Sequence, residues 1–315
     1  MKRATLIMAL ILSLVIFSAC SKKEGSLKIG ITQIVEHGSL DEVKRGFVDR
    51  IKELGIEAEI IEKNAQGEIS ASTSIANEFV DSKVDLIFAI STQSAQSTLS
   101  VTDTIPVIFS AVTDPVSSKL VDSLEKPGHN VTGTTDLQDI KLQLALFNEV
   151  DPSIKTVGIL YNTSESNSKH QVDIAKSVAD EVGLKIEAIG VNGVNELPQA
   201  LSNLMPKIDA MYIITDNMVA SSLELISQEL IKEKKISIAA FEDAIDHGAA
   251  ISYGLNYYDL GVTSADMAKE ILIDKKEVST MAVKTSDTYS IKLNQEVISE
   301  MGIEIPKNIL EKVRN

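Results

Sequence analysis

The sequence predicts an α/β protein made of two similar lobes, each a doubly wound parallel sheet. Two observations carry this reading: short apolar strands alternate with amphipathic helices from residue 27 onward, and the alternation restarts near residue 155. Strands joined by helices of this length read as right-handed βαβ units. "LKIGITQI" (27–34) is the first strand. Ser39, Leu40, Asp41 and Glu42 form a capping box, and Val43, Phe47, Ile51 and Leu54 then recur at helical spacing until Gly55 stops the helix. "IEAEII" (56–61) is a strand, 68–82 a helix, "VDLIFAI" (84–90) a strand, 92–100 a helix and "IPVIF" (105–109) a strand.

In the second half "KTVGILYN" (155–162) matches the first strand, followed by a helix over 165–182, "LKIEAIG" (184–190) and a helix near 195–204. "IDAMYIIT" (208–215) parallels "VDLIFAIS" (84–91), and "KISIAAF" (235–241) parallels "TIPVIFS" (104–110). Between the halves, residues 110–138 are rich in hydroxyls and carry no apolar period, so the handover between lobes is expected there. Further crossovers are expected at "ISYGLNYYDLG" (251–261) and "AVKTSDTYSIKLN" (282–294). The expected boundaries are 27–112 plus about 255–283 for lobe 1, and 113–254 plus about 284–315 for lobe 2.

The amino terminus speaks to compartment. Lys2 and Arg3 precede an uncharged apolar run over 4–17, shorter than the ~20 residues of a membrane span but suited to a signal peptide. The run ends in Phe17, Ser18 and Ala19 before Cys20, the only cysteine of the chain. This resembles the lipobox of bacterial lipoproteins, with Phe17 where leucine is usual, and implies residues 1–19 as signal peptide, Cys20 as lipid anchor and 20–26 as tether. A formal charge of −15, more negative still once Lys2 and Arg3 leave with the leader, argues against nucleic acid and anionic lipid as partners.

Catalysis finds little support. The chain has no HExxH, no clustered His/Cys ligand set, no GxGxxG after the first strand and no nucleophile elbow; its four histidines are scattered. No enzyme activity, cofactor or metal is expected.

"ITQIVEHGSLDEVKRGF", "IPVIFSAVTDPV", "PGHNVTGTTD", "IITDNMVASS" and "SYGLNYYDLG", in this order along the chain, together resemble the ABC-transporter substrate-binding lipoproteins of the TrpX type. The resemblance implies a type I periplasmic-binding-protein fold, a hinge of three crossover strands, and an aromatic amino acid (tryptophan, tyrosine or phenylalanine) held between the lobes. It also implies a monomer that is anchored outside the cytoplasm and delivers its ligand to a membrane permease. A surface receptor of the same fold for a nucleoside, sugar or signal molecule is the alternative.

Ligands of open α/β sheets bind beyond the carboxyl ends of the strands, which singles out four exits. These are Gln33 with Glu36; Ser91, Thr92 and Ser94; Thr113 with Asp114; and Thr215, Asp216 and Asn217. An amino-acid carboxylate suits the helix N-terminus at Ser91, Thr92 and Ser94, and its ammonium suits Asp216, with Asp114 or Glu36 in reserve. Phe109, Tyr253 and Tyr257 are the candidates for an aromatic slot, and Asn256 adjoins them. Each has a plainer reading: Thr92, Ser94 and Asp216 as helix caps, Asp114 before Pro115 as a turn, His37 as a solvated loop residue, and the tyrosines as core.

Overall fold

Residues 26–286 and 289–313 are described by the structure, a computed structural model. Cys20 and the leader lie outside the described residues. In both lobes strands alternate with helices in the order the apolar pattern requires. β1 (Leu27–Gln33), β2 (Ala58–Asn64), β3 (Leu86–Ile90), β4 (Val107–Val112) and β5 (Val131–Thr135) are joined by a short β11 (Lys284–Thr285) in one sheet, ordered β11-β5-β4-β3-β1-β2 and parallel throughout. β6 (Thr156–Asn162), β7 (Lys185–Val191), β8 (Ala210–Ile213), β9 (Ile236–Phe241), β10 (Ile251–Leu255) and β12 (Tyr289–Leu293) form the second sheet, ordered β12-β10-β9-β8-β6-β7. Only the β10–β12 pair there is antiparallel. The halves superpose in topology as the repeated motifs require, β1, β3 and β4 answering to β6, β8 and β9.

The helices of lobe 1 are α1 (Gly38–Glu53), α2 (Ile69–Asp81), α3 (Thr92–Leu99) and, after the second crossover, α9 (Tyr257–Leu272). Those of lobe 2 are α4 (Ile140–Val150), α5 (Ser166–Val178), α6 (Leu197–Leu204), α7 (Asn217–Ser221), α8 (Leu223–Lys232), α10 (Gln295–Met301) and α11 (Lys307–Leu310). α1 and α9 lie side by side at very short range. A Cβ on Gly46 would meet the Tyr258 carbonyl oxygen at 2.1 Å, and one on Gly261 would meet the Val43 carbonyl oxygen at 2.0 Å. Each glycine therefore lets the backbone of the other helix touch its own.

The first handover lies within residues 110–138, as expected, but later than the boundary drawn at residue 112. Residues 131–135 pair with β4 in the first sheet, so the chain leaves lobe 1 after Thr135 and not after residue 112; residues 284–285 likewise pair with β5 before the third crossover. "VTGTT" has no apolar alternation because its hydroxyls are satisfied inside the protein. Thr132 donates to the Met281 carbonyl at 2.6 Å, and Thr134 pairs with Ser110 at 2.7 Å and Ser264 at 3.3 Å. Internal hydroxyl pairing lets a polar segment be fully buried.

Candidate functional site

In both sheets the strand order changes direction between the first and third strands of the lobe, and the exits at these switch points face one another across the crossovers. The lobes touch there through polar pairs. Thr113 meets Thr215, oxygen to oxygen, at 3.0 Å; Asn217 reaches His37 and Gln93, each at 3.4 Å; and His170 of α5 meets the Asp114 carboxylate at 2.9 Å. Behind these contacts lies a narrow chamber whose non-atom space, counted out to open solvent, is ≈ 310 Å³. It shares Asn217 with one wider groove of ≈ 1170 Å³, and His37 and Ala220 with another of ≈ 1190 Å³.

Lobe 1 contributes His37, Ser39 and Leu40 from the start of α1, Ala111 and Thr113 from the end of β4, Asp136 after β5, and Tyr257 at the start of α9. Asp136 stands in the first crossover and Tyr257 just beyond the second. They are joined by a 2.6 Å bond in which the phenol donates to Asp136 Oδ2. The other carboxylate oxygen, Oδ1, is buried without a partner. Burial raises the Asp136 pKa, and the bond from Tyr257 only partly offsets this. Ser39 Oγ and His37 Nδ1 are also buried and unpartnered. Burial pushes the His37 imidazole down to about 4, so it is neutral near pH 7. α1 has no side-chain cap, which leaves the N–H groups of its first turn for something else at this chamber. Ala111 lies in a bulge of β4, before Val112 rejoins β5, with φ of 53°, a conformation that costs a non-glycine residue ~1–3 kcal/mol and clusters at functional sites.

Lobe 2 contributes Asn167, Thr215, Asp216, Asn217, Ala220 and Phe241. Asp216 is not free to receive a ligand: its Oδ1 accepts from Val219 N at 2.9 Å, capping α7, and its Oδ2 accepts from Asn162 N at 2.6 Å. Glu165 lies beside it, accepting from Asn217 N at 3.1 Å, Met218 N at 3.2 Å and the Asn217 amide at 2.7 Å. Burial, then the charge of Asp216, pushes the Glu165 carboxyl up to about 8, and burial likewise raises Asp216. Between the ordinary 4.5 and about 8, folded Glu165 holds a proton that the unfolded chain has lost, so this pair makes stability fall as pH rises through that window and level off above it. Urea unfolding from about pH 5 to about pH 9 is expected to show this decline, and Glu165→Gln is expected to flatten it. Identical slopes in the two proteins would show that Glu165 ionises normally.

Several residues singled out in the sequence lie away from the chamber. Gln33 braces its own loop, donating to the Val35 carbonyl at 3.0 Å and to Asp41 at 2.9 Å. Glu36 is exposed on an outer groove. Ser91 caps α3 by accepting from Ser94 N at 3.2 Å, and Ser91, Thr92 and Ser94 are buried and do not line the chamber. Phe109 is fully buried in the lobe 1 core against Gly133. Asp114 forms the turn with Val116 N and Ser117 N besides its contact with His170. Tyr253 packs edge-on against Tyr289, and Asn256 caps α9 through Asp259 N. Thr113, Thr215, Asp216 and Asn217 do line the chamber, and so does Tyr257. Sequence reasoning missed Ser39, Asp136, Asn167 and Phe241. The one signal for Asp136 was an acid at the end of "TGTTD", where an unrecognised strand runs out.

Among known proteins, a family model described as ABC transporter substrate binding protein matches residues 28–315. A tyrosine-binding protein of Clostridioides difficile is 37% identical, the match covering 96% of this chain and 93% of that protein. Among solved structures, an ABC domain from Streptococcus pneumoniae in complex with L-Trp is 32% identical with a TM-score of 0.88, covering 92% of this chain and 99% of that one. The ligand-free, open structure of a substrate-binding protein with adhesive properties from Clostridium difficile is 42% identical, yet its TM-score is 0.69, with 91% of this chain and 98% of that one covered. The chain superposes better on the L-Trp complex than on the open, ligand-free structure, despite lower identity to it.

Proposed function

Because the chain belongs to the ABC transporter substrate-binding protein family, we propose that it is an extracytoplasmic receptor that captures an aromatic α-amino acid between its lobes for a membrane permease. The observation that carries the choice of an α-amino acid is the unpartnered Oδ1 of Asp136, buried at the chamber on the lobe 1 side. A buried acid with an open oxygen suits an ammonium: the pair of charges compensates the desolvation that a lone carboxylate suffers. Among the described residues, no lysine or arginine lines the chamber. The ligand's carboxylate falls instead to Ser39 Oγ and the uncapped first turn of α1, whose N–H groups and dipole favour an anion. Leu40, Ala111, Ala220, Phe241 and Tyr257 supply apolar and aromatic surface for the side chain.

Ligand would dock on lobe 1, and closure about the three crossovers would bury it against lobe 2, through contacts that exist only in the closed state. The protein works as a monomer without metal or cofactor, held at the membrane by lipid on Cys20, and presents its closed surface to the permease. The names of the tyrosine-binding relative and of the L-Trp complex support the aromatic class.

The chain contains no tryptophan, so indole emission reports bound ligand alone. Titration with L-tryptophan is expected to give a saturable blue shift. L-tyrosine or L-tryptophan at about 100 times Kd is expected to stabilise the fold by about 2.7 kcal/mol in calorimetry. Absence of any response to tryptophan, tyrosine and phenylalanine alike would sink the aromatic assignment.

A further inference from the structure

The polar groups of the chamber divide by lobe. Those that suit a zwitterion, Asp136 Oδ1, Ser39 Oγ and the first turn of α1, all belong to lobe 1, so the ligand's side chain faces lobe 2. On that wall nearly every polar group is already engaged. Thr215 Oγ1 is shared between Gln171 Oε1 at 2.9 Å and Thr113 at 3.0 Å. Both Asp216 oxygens are taken by backbone N–H groups. The Asn217 amide donates to Glu165 and Gln93, and its oxygen faces His37. Asn167 is the exception. It is 3% exposed, lines the chamber, and its Oδ1 is buried without a partner. Its orientation is fixed, because the amide nitrogen donates to the Thr215 carbonyl at 2.9 Å, to Glu165 at 3.4 Å and to Ser168 Oγ at 3.4 Å, all groups able to accept. A flipped amide would set its oxygen against the Thr215 carbonyl, which can only accept.

Resting on the aromatic amino-acid reading above, we infer that Asn167 Oδ1 is a specificity element that accepts a hydrogen bond from the ligand's side chain. The receptor is therefore built for aromatic amino acids that carry a side-chain donor, a phenol O–H or an indole N–H, and discriminates against phenylalanine. A site with a buried acceptor disfavours an analogue that lacks the donor, because the acceptor is then left unpaired beneath the ligand.

The test is isothermal titration of the full protein with L-tyrosine, L-tryptophan, L-phenylalanine, O-methyl-L-tyrosine and 1-methyl-L-tryptophan, repeated on Asn167→Leu. L-phenylalanine is expected to bind at least about tenfold more weakly than the better of tyrosine and tryptophan. The methylated analogue of the true ligand is expected to lose affinity likewise, which separates the phenol from the indole as the donor. In Asn167→Leu the gap between that ligand and phenylalanine is expected to close to about threefold or less. Equal binding of phenylalanine by the unaltered protein overturns the inference and leaves the aromatic reading standing, as does an undiminished gap in the leucine variant. Failure of all the amino acids overturns the aromatic reading and the inference with it. Should Asn167→Leu not fold, the series on the unaltered protein still decides.

Discussion

Asp136→Asn is expected to weaken binding of the cognate amino acid by about 100-fold, because removing one member of a buried, hydrogen-bonded charge pair costs roughly 2–5 kcal/mol. The loss is expected without a fall in the melting temperature of the unliganded protein. In that state Asp136 has only the Tyr257 phenol on Oδ2, and burial disfavours its charge, so the neutral amide relieves an unfavourable term. Asp216→Asn is the internal control. Its carboxylate holds Val219 N and Asn162 N, so the substitution sets an amide against a backbone donor and is expected to lower stability first and affinity only as a consequence. Titration calorimetry and thermal unfolding of both variants separate the two roles. If Asp136→Asn binds normally and Asp216→Asn does not, the ammonium acceptor has been placed on the wrong lobe.

Gly46→Ala and Gly261→Ala are each expected to destabilise the protein by about 1–3 kcal/mol, the usual range for overpacking, although both add only a methyl group and alanine is the better helix former. The added carbon meets main-chain atoms of the opposing helix at 2.1 Å and 2.0 Å, and backbone cannot rotate away as a side chain can. The double variant is expected to cost less than the sum, since the first methyl already parts the helices. Affinity is expected to fall as well: α1 carries His37, Ser39 and Leu40 at its start, and α9 begins with Tyr257, so parting the helices moves two walls of the chamber. Unchanged unfolding curves would mean that the helices separate at no cost.

The two-lobed architecture was legible because parallel strands buried on both faces read as continuous apolar runs, and the second set of runs repeats the first. That same property hid the difference between core and cleft. Phe109 sits at the end of such a run and is core, and no periodicity distinguishes it from a cleft residue. β5 was illegible for the opposite reason: its threonines find partners on Met281, Ser110 and Ser264, far apart in sequence, and with the strand went the recognition of Asp136. At Asp216 the segment was rightly singled out as a strand exit, but the expected direction of its carboxylate was not met. One oxygen serves its own helix, as the ordinary capping preference suggests, and the other serves Asn162, a partner that local sequence does not reveal.

Asp136 and Tyr257, bonded to each other, stand at two of the three crossovers, which makes the ammonium acceptor part of the pivot. Points near a pivot are displaced least by rotation, so in the proposed receptor an open form would already offer this acceptor to any amino acid that arrives. Asn167, out on the second lobe, joins only when the lobes shut. Encounter is thereby indiscriminate and retention selective. Competing amino acids enter at similar rates and differ in how long they stay, so selectivity among them resides in residence time.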